Sequence, residues 1–150
     1  MWYRKQEIIK NVAMLTIGDP SVYSTYMYIH KRIMQAGFTA VMISGVPSFC
    51  AAAARFGISL GEMMDEIHII PASYDVRDTV GYGGTCVYMK SGKKLAELIE
   101  VLRTGDAIRK KKMTVYGVTN CGMEFERVYR GLDELTEAKG YLTIVCLLYT

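Results

Sequence analysis

The sequence predicts an α/β protein built as two α/β lobes, and three observations carry that expectation. Short apolar runs alternate with amphipathic or alanine-rich stretches, the first two runs end in glycine turns that pass into helices, and no repeat or low-complexity tract breaks the order. With 150 residues, 51% of them hydrophobic, the chain can bury a core as one domain or two small lobes. The division is expected at residues 1–62 and 63–150, with Gly61 to Met64 as the joining segment.

Met1 to Lys10 reads as the tail of a helix, and Val12 to Ile17 as a buried strand. That run ends in Gly18-Asp19-Pro20 and passes into Ser21-Val22-Tyr23-Ser24-Thr25. Gly18 lets a ligand approach the backbone closely, and Pro20 stops the strand while neighbouring amides stay free to point at a guest. Tyr23, Ser24 and Thr25 stand where a helix from about Tyr23 to Gln35 begins, a place of unsatisfied N–H groups that suits polar or anionic atoms. Gly-Asp-Pro by itself also punctuates ordinary turns, so the weight rests on the company it keeps further along the chain.

Gly37 closes that helix, and a second apolar strand from Thr39 to Ile43 leads to Ser44-Gly45-Val46-Pro47-Ser48. Pro47 fits a first helical turn, and Cys50-Ala51-Ala52-Ala53-Ala54-Arg55 has high helix propensity with a profile small enough to pack closely on a sheet. Further on, Glu66 to Ile70 reads as a short strand before Pro71, and Thr85 to Met89 as another. An amphipathic helix from about Lys93 to Arg103 puts Leu95, Leu98, Ile99 and Leu102 on one face. Met113 to Val118 and Leu142 to Leu148 complete the strands, with Arg127 to Tyr129 a short antiparallel addition.

The charge balance excludes several classes. A net charge of +3 is far from the dense basic patch of a dedicated nucleic-acid binder, and it suits a polycarboxylate no better than ordinary surface charge. Arg109-Lys110-Lys111-Lys112 reads as a solvated turn between helix and strand. Cys50, Cys86, Cys121 and Cys146 lie far apart, with no spacing that assembles a metal site, so buried free thiols in a reducing cytoplasm are expected. His30 has no second ligand at helical spacing, no run approaches the length of a membrane span, and most of the ten methionines read as core filling.

Taken in order, Leu15-Thr-Ile-Gly-Asp-Pro-x-x-Tyr-Ser-Thr-Tyr26, Ile43-Ser-Gly-Val-Pro-Ser-Phe49 with its alanine run, Val87-Tyr-Met-Lys90, Cys121-Gly-Met-Glu124 and Tyr141-Leu-Thr-Ile-Val145 resemble the tetrapyrrole (corrin/porphyrin) methylases. Within that family the pattern is most similar to methyltransferases acting at carbon 20 of precorrin-2 or cobalt-factor II. The resemblance runs from about Asn11 to Val145. It departs at Ser44 and Pro47, where the family has Pro before the Gly and Ser or Thr after the Val, and at the strand and glycine-rich turn with which family members open. The first lobe is therefore expected to be incomplete and the chain to be about the last two-thirds of such an enzyme, with weak or no cofactor binding and no turnover by itself.

The resemblance implies S-adenosylmethionine as methyl donor, a tetrapyrrole as acceptor and a homodimer in the cytoplasm on the route to cobalamin. It implies that Gly18, Asp19 and Val22 line the methionyl side, with Tyr23, Ser24 and Thr25 beside them. Ser48 would sit on the second turn, and Met89, Cys121, Gly122 and Thr143 would close over the adenosine. No metal is implied, nor a membrane or nucleic-acid partner, and no catalytic base is assigned. The rival expectations are a relative with the same cofactor fold acting on another substrate, such as a modified protein side chain or ribosomal RNA, and a non-catalytic α/β module that only dimerises or binds a nucleotide-like ligand.

Overall fold

The computed structural model describes residues 11–73, 75–104 and 113–149. The expected helix tail at 1–10 and the basic run at 109–112 lie outside the described residues. The chain forms two compact units that divide between Pro47 and Ser48, ahead of the expected boundary after 62. The alanine-rich helix α2 (Ser48–Phe56) accounts for the earlier division, because it packs on the sheet of the second unit.

In the first unit, helix α1 (Tyr26–Gln35) starts three residues later than expected, since Tyr23 takes a left-handed backbone (φ +49°) that no helix continues through. Val12 to Ile17 and Thr39 to Ile43, expected as strands, have no ladder partner among the described residues. Leu15 is 92% exposed and Ile43 84%. The correction has a simple cause: apolar β-forming residues prefer an extended backbone, but a strand exists only when a neighbour satisfies its N–H and C=O groups.

The second unit is a five-stranded sheet of β1 (Ile67–Pro71), β2 (Thr85–Met89), β3 (Met113–Thr119), β4 (Arg127–Arg130) and β5 (Thr143–Tyr149) in the order β1-β2-β5-β3-β4. β1 and β2 are parallel, and the other neighbours are antiparallel. Alternation along the strands sends Cys86, Tyr88, Val145 and Leu147 to one face, where Leu95, Leu98, Ile99 and Leu102 of α3 (Leu95–Thr104) cover them. Each such side chain taken from water contributes about 1.5–3 kcal/mol. Helix α3 begins two residues later than expected because Ser91–Lys93 form a 3₁₀ turn first.

Val87, Met89, Val118, Ile144 and Cys146 occupy the opposite face, against Ala52 and Phe56 of α2. The ring of Phe56 stacks on Tyr116 at 5.2 Å. Pro47 lies just before α2 rather than within its first turn. Cys50 is exposed, contrary to the expectation of a buried thiol, because the buried side of α2 is made by Ala52, Ala53 and Phe56. Cys86 and Cys146 are buried; burial pushes their thiols up to about 11 and about 12 respectively. Met14, Met34, Met42, Met63, Met64 and Met123 are exposed, so methionine as core filling holds poorly here, Met89 being a buried exception.

Candidate functional site

The Gly-Asp-Pro segment folds as a turn in which the Val22 N–H donates to the Asp19 carbonyl at 3.3 Å, with proline at the second position. Asp19 is only 8% exposed. Its Oδ1 accepts from the Ser21 N–H at 2.8 Å and the Ser21 hydroxyl at 2.5 Å. Its Oδ2 accepts from the Ser44 hydroxyl and the Gly45 N–H, both at 2.9 Å. These donors, the Ser21 bonds first, hold the carboxyl well below the usual carboxylate range.

One carboxylate thus joins the two glycine turns that the sequence singles out. The approach is close: a Cβ on Gly45 would stand 2.2 Å from the Gly18 carbonyl oxygen, and Gly18 itself has φ +80°. Ser24 Oγ accepts from the Tyr26 N–H at 3.2 Å and lies 3.2 Å from Thr16 Oγ1, so it caps the helix that Thr25 precedes without a side-chain bond. Tyr23 is exposed and Val22 half-buried beside it. Gly18, Asp19, Val22, Tyr23, Ser24 and Thr25 are therefore brought together in the first unit.

Ser48 opens α2 in the second unit, where the other predicted residues also fall. Met89 ends β2, Thr143 begins β5, and Cys121 and Gly122 follow β3, whose Thr119 pairs with Thr143. The register gathers these four at one end of the sheet. Their side chains divide between its faces: Met89 lies on the α2 face, and Thr143, by alternation with Val145, on the α3 face. Thr143 Oγ1 lies 3.1 Å from Thr119 Oγ1 and donates to the Gly140 carbonyl at 2.8 Å, while Ser91 Oγ donates to the Thr143 carbonyl at 2.9 Å. The Thr143 hydroxyl is thereby engaged inside the sheet end.

Residues 120–126 turn back from β3 into β4 with three left-handed positions, Asn120 at φ +53°, Gly122 at +72° and Phe125 at +62°. Glu126 braces this turn. Its Oε2 accepts from the Gly122 N–H at 2.7 Å, and its Oε1 accepts from Arg55 Nε. The Gly122 N–H and then Arg55 keep Glu126 below the usual carboxylate range; burial, and next the Glu126 charge, push the Cys121 thiol up. A groove of about 600 Å³ at the same end is lined by Thr119, Asn120, Phe125, Glu126, Arg127 and Tyr129 among others, and by none of the predicted residues.

Sequence reasoning missed Ser21, Ser44 and Gly45 as partners of Asp19, and Arg55, Glu126, Thr119 and Ser91 altogether. A serine two positions after an aspartate was the available signal for the first set. Arg55 and Glu126 stand 71 residues apart and gave none. Among the described residues, no group of three or more His, Cys, Asp or Glu side chains could hold a metal, and no helix is long and apolar enough to cross a membrane.

A mixed five-stranded sheet with helices on both faces makes the second unit an α/β protein, with Met89, Cys121, Gly122 and Thr143 at strand ends and turns. The model of the tetrapyrrole (corrin/porphyrin) methylases matches residues 4–136, and the chain belongs to that family. It is 31% identical over 139 residues to a probable cobalt-precorrin-2 C(20)-methyltransferase of Methanocaldococcus jannaschii, a match covering 91% of this chain and 58% of that protein. A solved cobalt precorrin-4 methyltransferase superposes with a TM-score of 0.69 at 18% identity, over 86% of this chain and 60% of that one. Uroporphyrin-III C-methyl transferase from Thermus thermophilus, complexed with S-adenyl homocysteine, gives 0.65 at 18% identity, over 87% of this chain and 62% of that one. At such identity the two structures establish the fold, and the chain spans about three-fifths of the length of these relatives.

Proposed function

We propose that this chain belongs to a methyltransferase that moves the methyl group of S-adenosylmethionine to carbon 20 of precorrin-2 or cobalt-factor II in cobalamin biosynthesis. The similarity to the probable cobalt-precorrin-2 enzyme over 91% of the chain carries this reading. In it, the enzyme is a cytoplasmic homodimer. Gly18, Asp19 and Val22 line the methionyl side of the donor with Tyr23, Ser24 and Thr25 beside them, Ser48 binds from the second turn, and Met89, Cys121, Gly122 and Thr143 close over the adenosine.

The chemistry asks little of individual side chains. A sulfonium makes its methyl carbon electrophilic, and an electron-rich ring carbon attacks it in line: the C–C bond forms, the S–CH₃ bond breaks with its pair on sulfur, and the ring loses a proton. Acceleration comes from holding sulfur, methyl and carbon collinear with water excluded. Small residues and backbone groups suit that task, since a bulky side chain would fill the slot. The engaged hydroxyl of Thr143 and the fully bonded carboxylate of Asp19 suit a role for both residues in shaping the walls, with backbone atoms meeting the donor.

Calorimetry with S-adenosylhomocysteine tests this on the chain extended to the length of its relatives. The unsubstituted protein is expected to bind, and Gly18→Trp to lose at least tenfold in affinity by filling the elbow. Methyl incorporation should depend on precorrin-2 or cobalt-factor II and not on other tetrapyrroles or RNA. Equal affinity in Gly18→Trp would reject the loop assignment, and methylation of a different acceptor would reject the substrate.

A further inference from the structure

The turn between β3 and β4 has three left-handed residues within seven, of which only Gly122 is free of a Cβ penalty. Backbone of that kind persists when its surroundings over-determine it. Here the surroundings reduce to few groups. The Met123 N–H donates to the Asn120 carbonyl at 2.9 Å and the Asn120 N–H to the Leu142 carbonyl at 3.0 Å, which fixes the entry of the turn. Its far side is held by one carboxylate, half-buried Glu126, which takes the Gly122 N–H on one oxygen and Arg55 of α2 on the other. Arg55 is exposed, so as an isolated surface ion pair the contact would count for little. Its effect lies in direction: with Arg55 on Oε1, Oε2 is left facing the Gly122 N–H.

We infer that Glu126, oriented by Arg55, is a positioning residue that sets the Cys121–Gly122 backbone in the conformation that receives the adenosine. The inference rests on the reading of Cys121 and Gly122 as adenosine contacts. Among the described residues, the charged and titratable groups around Glu126 are Arg55 from α2, Cys121 within the turn, and Arg127, Tyr129, Glu137 and Lys139 lining the adjoining groove. Of these, Arg55 makes the ion pair. Two roles can be told apart here, because an ion pair that merely joins α2 to the turn works with its charges exchanged, whereas the Gly122 N–H needs an acceptor at position 126.

The test uses the chain extended to the length of its relatives, amide exchange at Gly122 by NMR, and calorimetry with S-adenosylhomocysteine and with adenosine alone. Glu126→Ala is expected to speed Gly122 exchange and weaken both ligands about tenfold, as loss of a charge-assisted bond does. Arg55→Ala should weaken them less. The exchanged pair, Arg55→Glu with Glu126→Arg, should restore thermal stability and leave adenosine affinity low. Recovery of affinity in the exchanged pair, or unchanged Gly122 exchange in Glu126→Ala, overturns the inference. Absence of binding by the unsubstituted chain, with Gly122 still protected by Glu126, overturns the adenosine reading and the positioning role together; binding by the unsubstituted chain that Glu126→Ala leaves unaltered overturns the positioning role alone.

Discussion

Asp19 has both carboxylate oxygens occupied, by donors from the 18–21 turn and from the 44–45 turn. Folding therefore lowers its pKa below the unfolded value of about 3.9. A depressed folded pKa gives a contribution that is complete above the unfolded value and is lost as pH falls through the folded one. The amide resonances of Ser21 and Gly45 should accordingly stay constant from neutral pH to about 4 and move only in stronger acid. Asp19→Asn should remove that acid response. A midpoint at or above the ordinary carboxylate value would contradict the clip. The importance of Asp19 was legible in the sequence through its motif, but the bonding that explains it was not, since Ser44 and Gly45 come 25 and 26 residues later.

Helix α3 is the element whose sequence signal and structure agree best, because four apolar residues at helical spacing face one sheet surface. Leu98 is fully buried there, so Leu98→Ala should cost about 2–5 kcal/mol of the second unit's stability in urea unfolding. Glu100→Ala, on the exposed side, should stay within about 0.5 kcal/mol. Similar costs for both would mean that α3 does not pack as described. The strands at 67–71, 85–89, 113–119, 127–130 and 143–149 were equally legible, within a residue or two at their ends. Val12 to Ile17 and Thr39 to Ile43 read the same way and are not strands among the described residues. Composition is shared by both groups; the difference is a hydrogen-bonding neighbour, which is a non-local property that no local run of residues encodes.

For the molecule as a whole, protection should follow that division into units. β5 is bonded on both edges, to β2 and to β3, and buried on both faces. Its amides should be the slowest to exchange, at rates set by global unfolding of the second unit, while those of Val12 to Ile17 and Thr39 to Ile43 exchange first. Mass-spectrometric exchange on peptides from each segment reads this directly, and equal protection of 12–17 and 143–149 would refute it. The family was legible because its motifs sit in turns that local sequence dictates. The grouping of Met89, Cys121, Gly122 and Thr143 at one sheet end was legible only through the resemblance, because no local run of residues encodes strand order.

That order has a further bearing on how the protein is made. The central strand of the sheet is translated after all four of its companions, so on the ribosome β1 to β4 emerge with no middle to assemble around. Until residues 143–149 clear the exit tunnel, the nascent second unit holds sticky, unzipped edges, and any premature stop before that point leaves a polypeptide suited to chaperones and proteases rather than to a closed sheet.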